Sequence, residues 1–188
     1  MSGQLERLER YATTAKQRGF EWDFTAGVDR YEVWDEIEIG QTAPAQNTFV
    51  VAEEDILAFN RAALETDPML VDPDHARERG GLEHHPLFVV QVAFYCIGTG
   101  IGSWIRSPGA RNPGQDIELF APFRVGEKIT ATVTHWDKWI RRDSCYMQDR
   151  VEFHNQDGEL KARWFAVLLL PPTRAELERF ASLRSEHR

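Results

Sequence analysis

The segment ALETDPMLVDPDHARERGG, Ala63 to Gly81, gathers Glu65, Asp67, Asp72, Asp74 and His75 around two prolines, Pro68 and Pro73. Carboxylates beside a histidine are what general acid–base chemistry needs, one group taking a proton and another giving one against a held substrate. His84 and His85 follow shortly after, at the start of a long apolar run. Four residues are therefore candidates for proton transfer: Glu65, Asp67, His84 and His85. Each has a plainer reading. Carboxylates in a proline-rich turn also cap backbone N–H groups. A helix N-terminus disfavours a charged imidazole, so the two histidines also fit as one solvated and one hydrogen-bonded loop residue. Asp74 and His75 lie in so dense a run of charge that they read as surface. His135 and His154, beside aromatic residues in strand-like sequence, read as satisfied sheet positions.

An anionic ligand would need cations. Arg106, Arg111, Arg124, Lys138, Arg141 and Arg142 all fall in the C-terminal half. The stretch DKWIRRD would occupy a hairpin end with Trp136 and Trp139 close by, and arginine grips a phosphate through two parallel hydrogen bonds. The alternative is a solvated charged turn. A net charge of −8 argues against a general nucleic-acid binder, though not against a local anion site.

The elements that must position these residues can be read from pattern. Residues 3–18 form an amphipathic helix with Leu5, Leu8 and Tyr11 on one face, stopped at Gly19. QNTFVV reads as a strand, and AEEDILAFNRAALE as a helix with acids in its first turn. PDHARER is a single helical turn started by Pro73. An apolar helix runs from about Leu87 to Ile97, its face of Phe88, Val92 and Tyr95 being core or the lining of an apolar pocket. The rest turns to β: four strands, with turns at Gly126-Glu127 and Asp157-Gly158. ITATVTHW alternates, as a half-buried antiparallel strand does. RWFAVLLL is continuously apolar, which predicts a central strand covered on both faces. Thr173 caps a C-terminal helix, with Glu176 in the capping-box position. One strand, one helix, a loop, a buried helix and four antiparallel strands make an α+β architecture, a curved antiparallel sheet around a central apolar helix.

The two cysteines, Cys96 and Cys145, have neither metal-ligand spacing nor a CxxC, and read as two buried, reduced thiols of a cytoplasmic protein. The apolar run carries Gly98, Gly100 and Gly102 at its end, which argues for a core helix rather than a membrane span.

In order along residues 31–170, VWDEIEIGQTAPAQNTFVVAEEDILAFNRAALETD, DPMLVDPDHARERGG, GQDIELFAPFRVGEKITATVT and NQDGELKARWFAVLL resemble the MaoC-like dehydratases and (R)-specific enoyl-CoA hydratases. That resemblance implies a single hot-dog domain over 31–171, a helical extension at 1–30 and a C-terminal helix at 172–188. It implies a β-hydroxyacyl or enoyl thioester of CoA or an acyl carrier as ligand, no cofactor and no metal. It also implies assembly as a homo-oligomer, or with a second hot-dog subunit, with no nucleic-acid or membrane partner. With Pro68 and Asp72 fixing the register, the family's catalytic Asp falls on Glu65, its Asn on Asp67 and its catalytic His on Leu70. DPMLVD and HHPLF are similar to the histidine-lacking N-terminal halves of double-hot-dog dehydratases. Three functions follow: a hydratase or dehydratase, or one subunit of such an enzyme, with Glu65, Asp67, His84 and His85 as its candidate catalytic residues; a non-catalytic unit completing a partner's acyl tunnel; or an acyl thioesterase. Arg106, Arg111, Arg141 and Arg142 are the candidates for holding the ligand's phosphates. Oxyanion donors are expected from backbone N–H groups at His85–Val89.

Overall fold

The computed structural model describes residues 12–19, 31–98 and 100–185, without the side chains of Arg106 and residues 183–185. Leu5, Leu8 and Tyr11 of the expected N-terminal helix lie outside the described residues. Within them that helix is one turn, α1 (Ala15–Arg18), capped by Thr14, whose hydroxyl accepts from Gln17 N–H.

Six strands form one antiparallel sheet: β1 (Thr42–Pro44), β2 (Phe49–Val50), β3 (Arg111–Leu119), β4 (Lys128–Arg141), β5 (Ser144–His154) and β6 (Leu160–Leu169). The order is β1-β4-β5-β6-β3, with β2 also pairing β4. Among the described residues β3 therefore forms one edge, with β6 as its only strand partner. The four strands expected in the C-terminal half are these last four. Two of their turns fall where Gly126 and Gly158 take positive φ, the left-handed backbone that glycine adopts at no steric cost. The β4–β5 turn carries no glycine; Arg142 (φ 50°) and Asp143 (φ 57°) are both left-handed there.

β6 corrects the expectation of a strand covered on both faces. Its inward residues Ala162, Trp164, Ala166 and Leu168 are buried, while Arg163, Phe165, Val167 and Leu169 alternate with them and are only half-buried. One face packs the core and the other is the outer surface of the sheet.

The apolar helix, α5 (Phe88–Cys96), lies on the inner face and buries Phe88, Val89, Val92, Ala93 and Cys96. Phe88 and Val92 are fully buried in the core, and Tyr95 is half-buried, edge-on to Phe49 at 5.3 Å. Truncating a residue such as Val92 would remove buried area and leave a cavity, the change that destabilises cores most. Three further helices precede α5: α2 (Glu53–Ala62), α3 (Pro68–Val71) and α4 (Pro73–Arg77). α4 is the turn expected at Pro73; α3 was not foreseen. α6 (Arg174–Ser185) closes the chain, with Thr173 Oγ1 accepting from Glu176 N–H. Among the described residues no helix is long and apolar enough to cross a membrane.

Candidate active site

The acidic segment is a chain of caps. Asp67 is the N-cap of α3, its Oδ1 accepting from Met69 N–H at 2.9 Å. Asp72 caps α4 by accepting from Asp74 and His75 N–H. Asp74 pairs with Arg77 at 2.7 Å in solvent. These carboxylates are committed to the backbone or to the surface. Glu65 is not. α2 ends at Ala62, Leu64 turns left-handed (φ 61°), and Glu65 N–H donates to Asn60 C=O at 3.0 Å. The chain then points the Glu65 side chain, half-buried, toward His85.

Glu65 Oε1 and His85 Nε2 stand 3.7 Å apart, close enough to interact but beyond hydrogen-bond length. His85 Nδ1 accepts from Leu87 N–H at 3.1 Å. A backbone N–H can only donate, so Nδ1 holds no proton and the neutral ring carries its hydrogen on Nε2, facing Glu65.

His84 is the other kind of histidine. It is 8% exposed, stacked on Phe123 at 5.2 Å, and hydrogen-bonded at both nitrogens. Nε2 accepts from Phe123 N–H at 3.0 Å, so Nδ1 must donate to His85 C=O at 2.9 Å. Burial pushes its pKa down, which keeps the ring neutral. His84 is a structural clamp between the α5 entry and the loop before β4.

The start of α5 offers few free donors. His85 N–H goes to Asn60 Oδ1, Pro86 has none, Leu87 N–H goes to the His85 ring and Phe88 N–H to His85 C=O. The oxyanion donors expected there are largely used internally.

The proposed phosphate ligands sit elsewhere. Arg141 and Arg142 are exposed at the β4–β5 turn, and Arg111 is exposed at the start of β3. His84 packs at the opposite end, near where β4 begins. Along 14-residue β4 the two ends are separated by roughly 40 Å at about 3.3 Å per residue. Within one chain the arginines and the Glu65–His85 pair are not brought together. For Arg106 the structure describes only the backbone, in a 3₁₀ turn.

Two features were missed in the sequence. Asn60 is fully buried, with Nδ2 donating to Leu70 C=O (2.7 Å) and Glu83 C=O (2.9 Å) while Oδ1 accepts from His85 N–H (2.8 Å). An asparagine inside a helix, where its propensity is poor, was the available signal. The second is a buried array. His135 Nδ1 meets Asp149 Oδ1 at 2.7 Å, His135 Nε2 meets Glu32 Oε1 at 2.9 Å, and Trp104 Nε1 donates to Asp149 Oδ2 at 2.6 Å. Burial would lower the His135 pKa, but hydrogen bonds and charge from Asp149 and Glu32 outweigh it and raise it to about 10. Burial raises Glu32 and Asp149 in turn. All three hold protons more tightly than in water. No local signal joins residues so far apart in sequence. The array borders a cavity of about 260 Å³ lined by Glu32, Gln41, Gly100, His135 and Arg174, beyond the far end of α5.

No family model matches the chain. A curated relative, the (R)-specific enoyl-CoA hydratase of Rhodospirillum rubrum, is 29% identical over 106 residues, 54% of this chain and 67% of the relative. The crystal structure of a MaoC-like dehydratase from the same organism superposes with a TM-score of 0.61 at 18% identity, covering 74% of this chain and 97% of that one. The chain has the hot-dog fold of the MaoC-like dehydratases. A chain of the HadBC (3R-hydroxyacyl-ACP dehydratase) complex from Mycobacterium tuberculosis shares the same fold, with TM-score 0.58 at 20% identity over 74% of this chain and 98% of that one. The sequence expectation of a hot-dog domain holds. Leu70, expected from the resemblance at the position of the catalytic histidine, has its C=O held by Asn60 Nδ2.

Proposed function

We propose that this chain is a hydratase or dehydratase of β-hydroxyacyl or enoyl thioesters, with Glu65 and His85 as its reacting pair. The observation that carries the reading is the uncommitted Glu65 carboxylate facing the Nε2–H edge of His85 at 3.7 Å. Glu65 takes a proton from water as the water oxygen attacks the β-carbon, then delivers that proton to the α-carbon on the same face. Water is added across the double bond and the carboxylate is regenerated. The His85 Nε2–H donates to the thioester oxygen as negative charge builds there, a task open to a neutral imidazole. Asp67 and His84 are supports rather than reactants in this scheme.

The resemblance to edge-paired hot dogs supports a dimer. Edge strand β3 is long and, among the described residues, pairs on one side alone, and sheets seldom leave such an edge uncovered. A two-fold pairing of β3 with its copy would reverse the strand direction. It would bring the Arg111, Arg141 and Arg142 end of one subunit toward the Glu65–His85 end of the other, where they would meet the ligand's phosphates. The free thiols Cys96 and Cys145 favour a cytoplasmic setting.

A second reading, a subunit that completes a partner's tunnel, is favoured by the internally used N–H groups at the start of α5 and by Leu70. The test is incubation of the purified protein with crotonyl-CoA, following 3-hydroxybutyryl-CoA and free thiol. Hydration by the protein alone supports the enzyme. Hydration only after adding a second hot-dog subunit supports the partner role. Thiol release without hydration indicates a thioesterase.

A further inference from the structure

We infer that Asn60 is the positioning residue of the Glu65–His85 pair, an inference that rests on the reaction proposed above. Its main-chain carbonyl accepts from Glu65 N–H at 3.0 Å, and its side-chain Oδ1 accepts from His85 N–H at 2.8 Å. One residue thus holds the backbone of both reacting groups. Its Nδ2 donates to Leu70 C=O at 2.7 Å and to Glu83 C=O at 2.9 Å, tying α3 and the residue before the histidine pair to the same point. All three side-chain hydrogen bonds go to backbone, and none reaches solvent, because Asn60 is fully buried. A buried amide with its donors and acceptor aimed at two separate segments, α3 and residues 83–85, fixes their spacing. A primary amide supplies two donors and an acceptor here, which no other side chain of this size matches.

The geometry also explains the His85 tautomer. With His85 N–H anchored on Asn60, the chain turns at Pro86 and Leu87 N–H reaches back to the ring. Releasing the anchor frees that turn, and the ring loses the contact that keeps its hydrogen on Nε2.

The experiment compares the full chain with Asn60→Ala, Asn60→Asp, and a control, Ser103→Ala. Ser103 is equally buried and accepts from Glu32 N–H, past the other end of α5. Crotonyl-CoA hydration is read against pH. Asn60→Ala should lose about 100-fold in kcat with KM little changed, the scale of a reacting group displaced by an ångström. Asn60→Asp should fall as far at alkaline pH and recover in acid, where the protonated carboxyl restores one donor and the acceptor. Ser103→Ala should lower Tm and leave kcat in place. Parallel loss of kcat and stability across all variants, or wild-type kcat in Asn60→Ala, overturns the inference. Glu65→Gln and His85→Gln in the same series test the reaction itself, so failure of the reading shows as retained turnover in those two variants. A readout independent of turnover is the long-range nitrogen–proton spectrum of the imidazole rings. The wild type should show His85 as the Nε2–H tautomer and Asn60→Ala an averaged ring, whereas an unchanged spectrum overturns the positioning role.

Discussion

Glu65 and Asp67 have the same functional group two residues apart, and the backbone decides which is available. Asp67 sits at φ −64°, ψ 126°, the extended conformation of an N-cap, and spends its oxygen on Met69 N–H. We therefore expect Asp67→Asn to keep turnover within a few-fold. Asp67→Ala should cost about 1 kcal/mol, the usual value of a lost N-cap, seen as a lower Tm. Glu65→Gln should lose about 100-fold or more in kcat, the lower range for a proton-transfer group, measured in steady state. The sequence displayed all four candidate residues but could not rank them. A cap and a free carboxylate differ in backbone angles and in which N–H lies nearby, and Asp67 and Glu65 look alike until those are known. The same holds for His84, whose role is fixed by Phe123, which lies 39 residues on.

At the scale of elements, the central helix and the four long strands were legible because alternation and apolar runs report one-sided burial directly. β6 was misjudged for the same reason. Phe165, Val167 and Leu169 are apolar yet face outward, where Phe165 packs against Trp136 on the sheet's outer surface at 6.1 Å. α3 was missed because it is one turn long and announced only by Asp67 and Pro68. The docking of α6 leaves no room for a side chain at one glycine. Gly109 is left-handed (φ +81°), and a Cβ there would come within 2.5 Å of the Phe180 ring. Gly109→Ala combines backbone strain with that overlap, so it should destabilise by about 1–3 kcal/mol and loosen α6. Thermal unfolding with limited proteolysis of the C-terminal helix would measure it; an unchanged Tm and an uncut helix would contradict the packing described.

For the whole molecule, the Glu32–His135–Asp149 array links the segment before β1 to the centre of the sheet. A group that the folded state protonates more readily than the unfolded chain stabilises at low pH and loses that contribution as pH rises. For His135 the window runs from about 6.5, its ordinary value, to about 10. The raised carboxylates act in the same direction. Stability should therefore fall between neutrality and about pH 10, and His135→Gln should flatten that fall; a wild-type Tm that is level across the range would refute the assignment. The proposed reaction lies at the other end of α5, with Glu65 as its proton carrier. Its most direct test is the exchange of the hydroxyl oxygen of 3-hydroxybutyryl-CoA with heavy-oxygen water, which detects even slow reversible dehydration. The wild-type chain should show exchange, and Glu65→Gln about 100-fold less. Equal exchange in both, or none with the wild type, would contradict the proposed reaction.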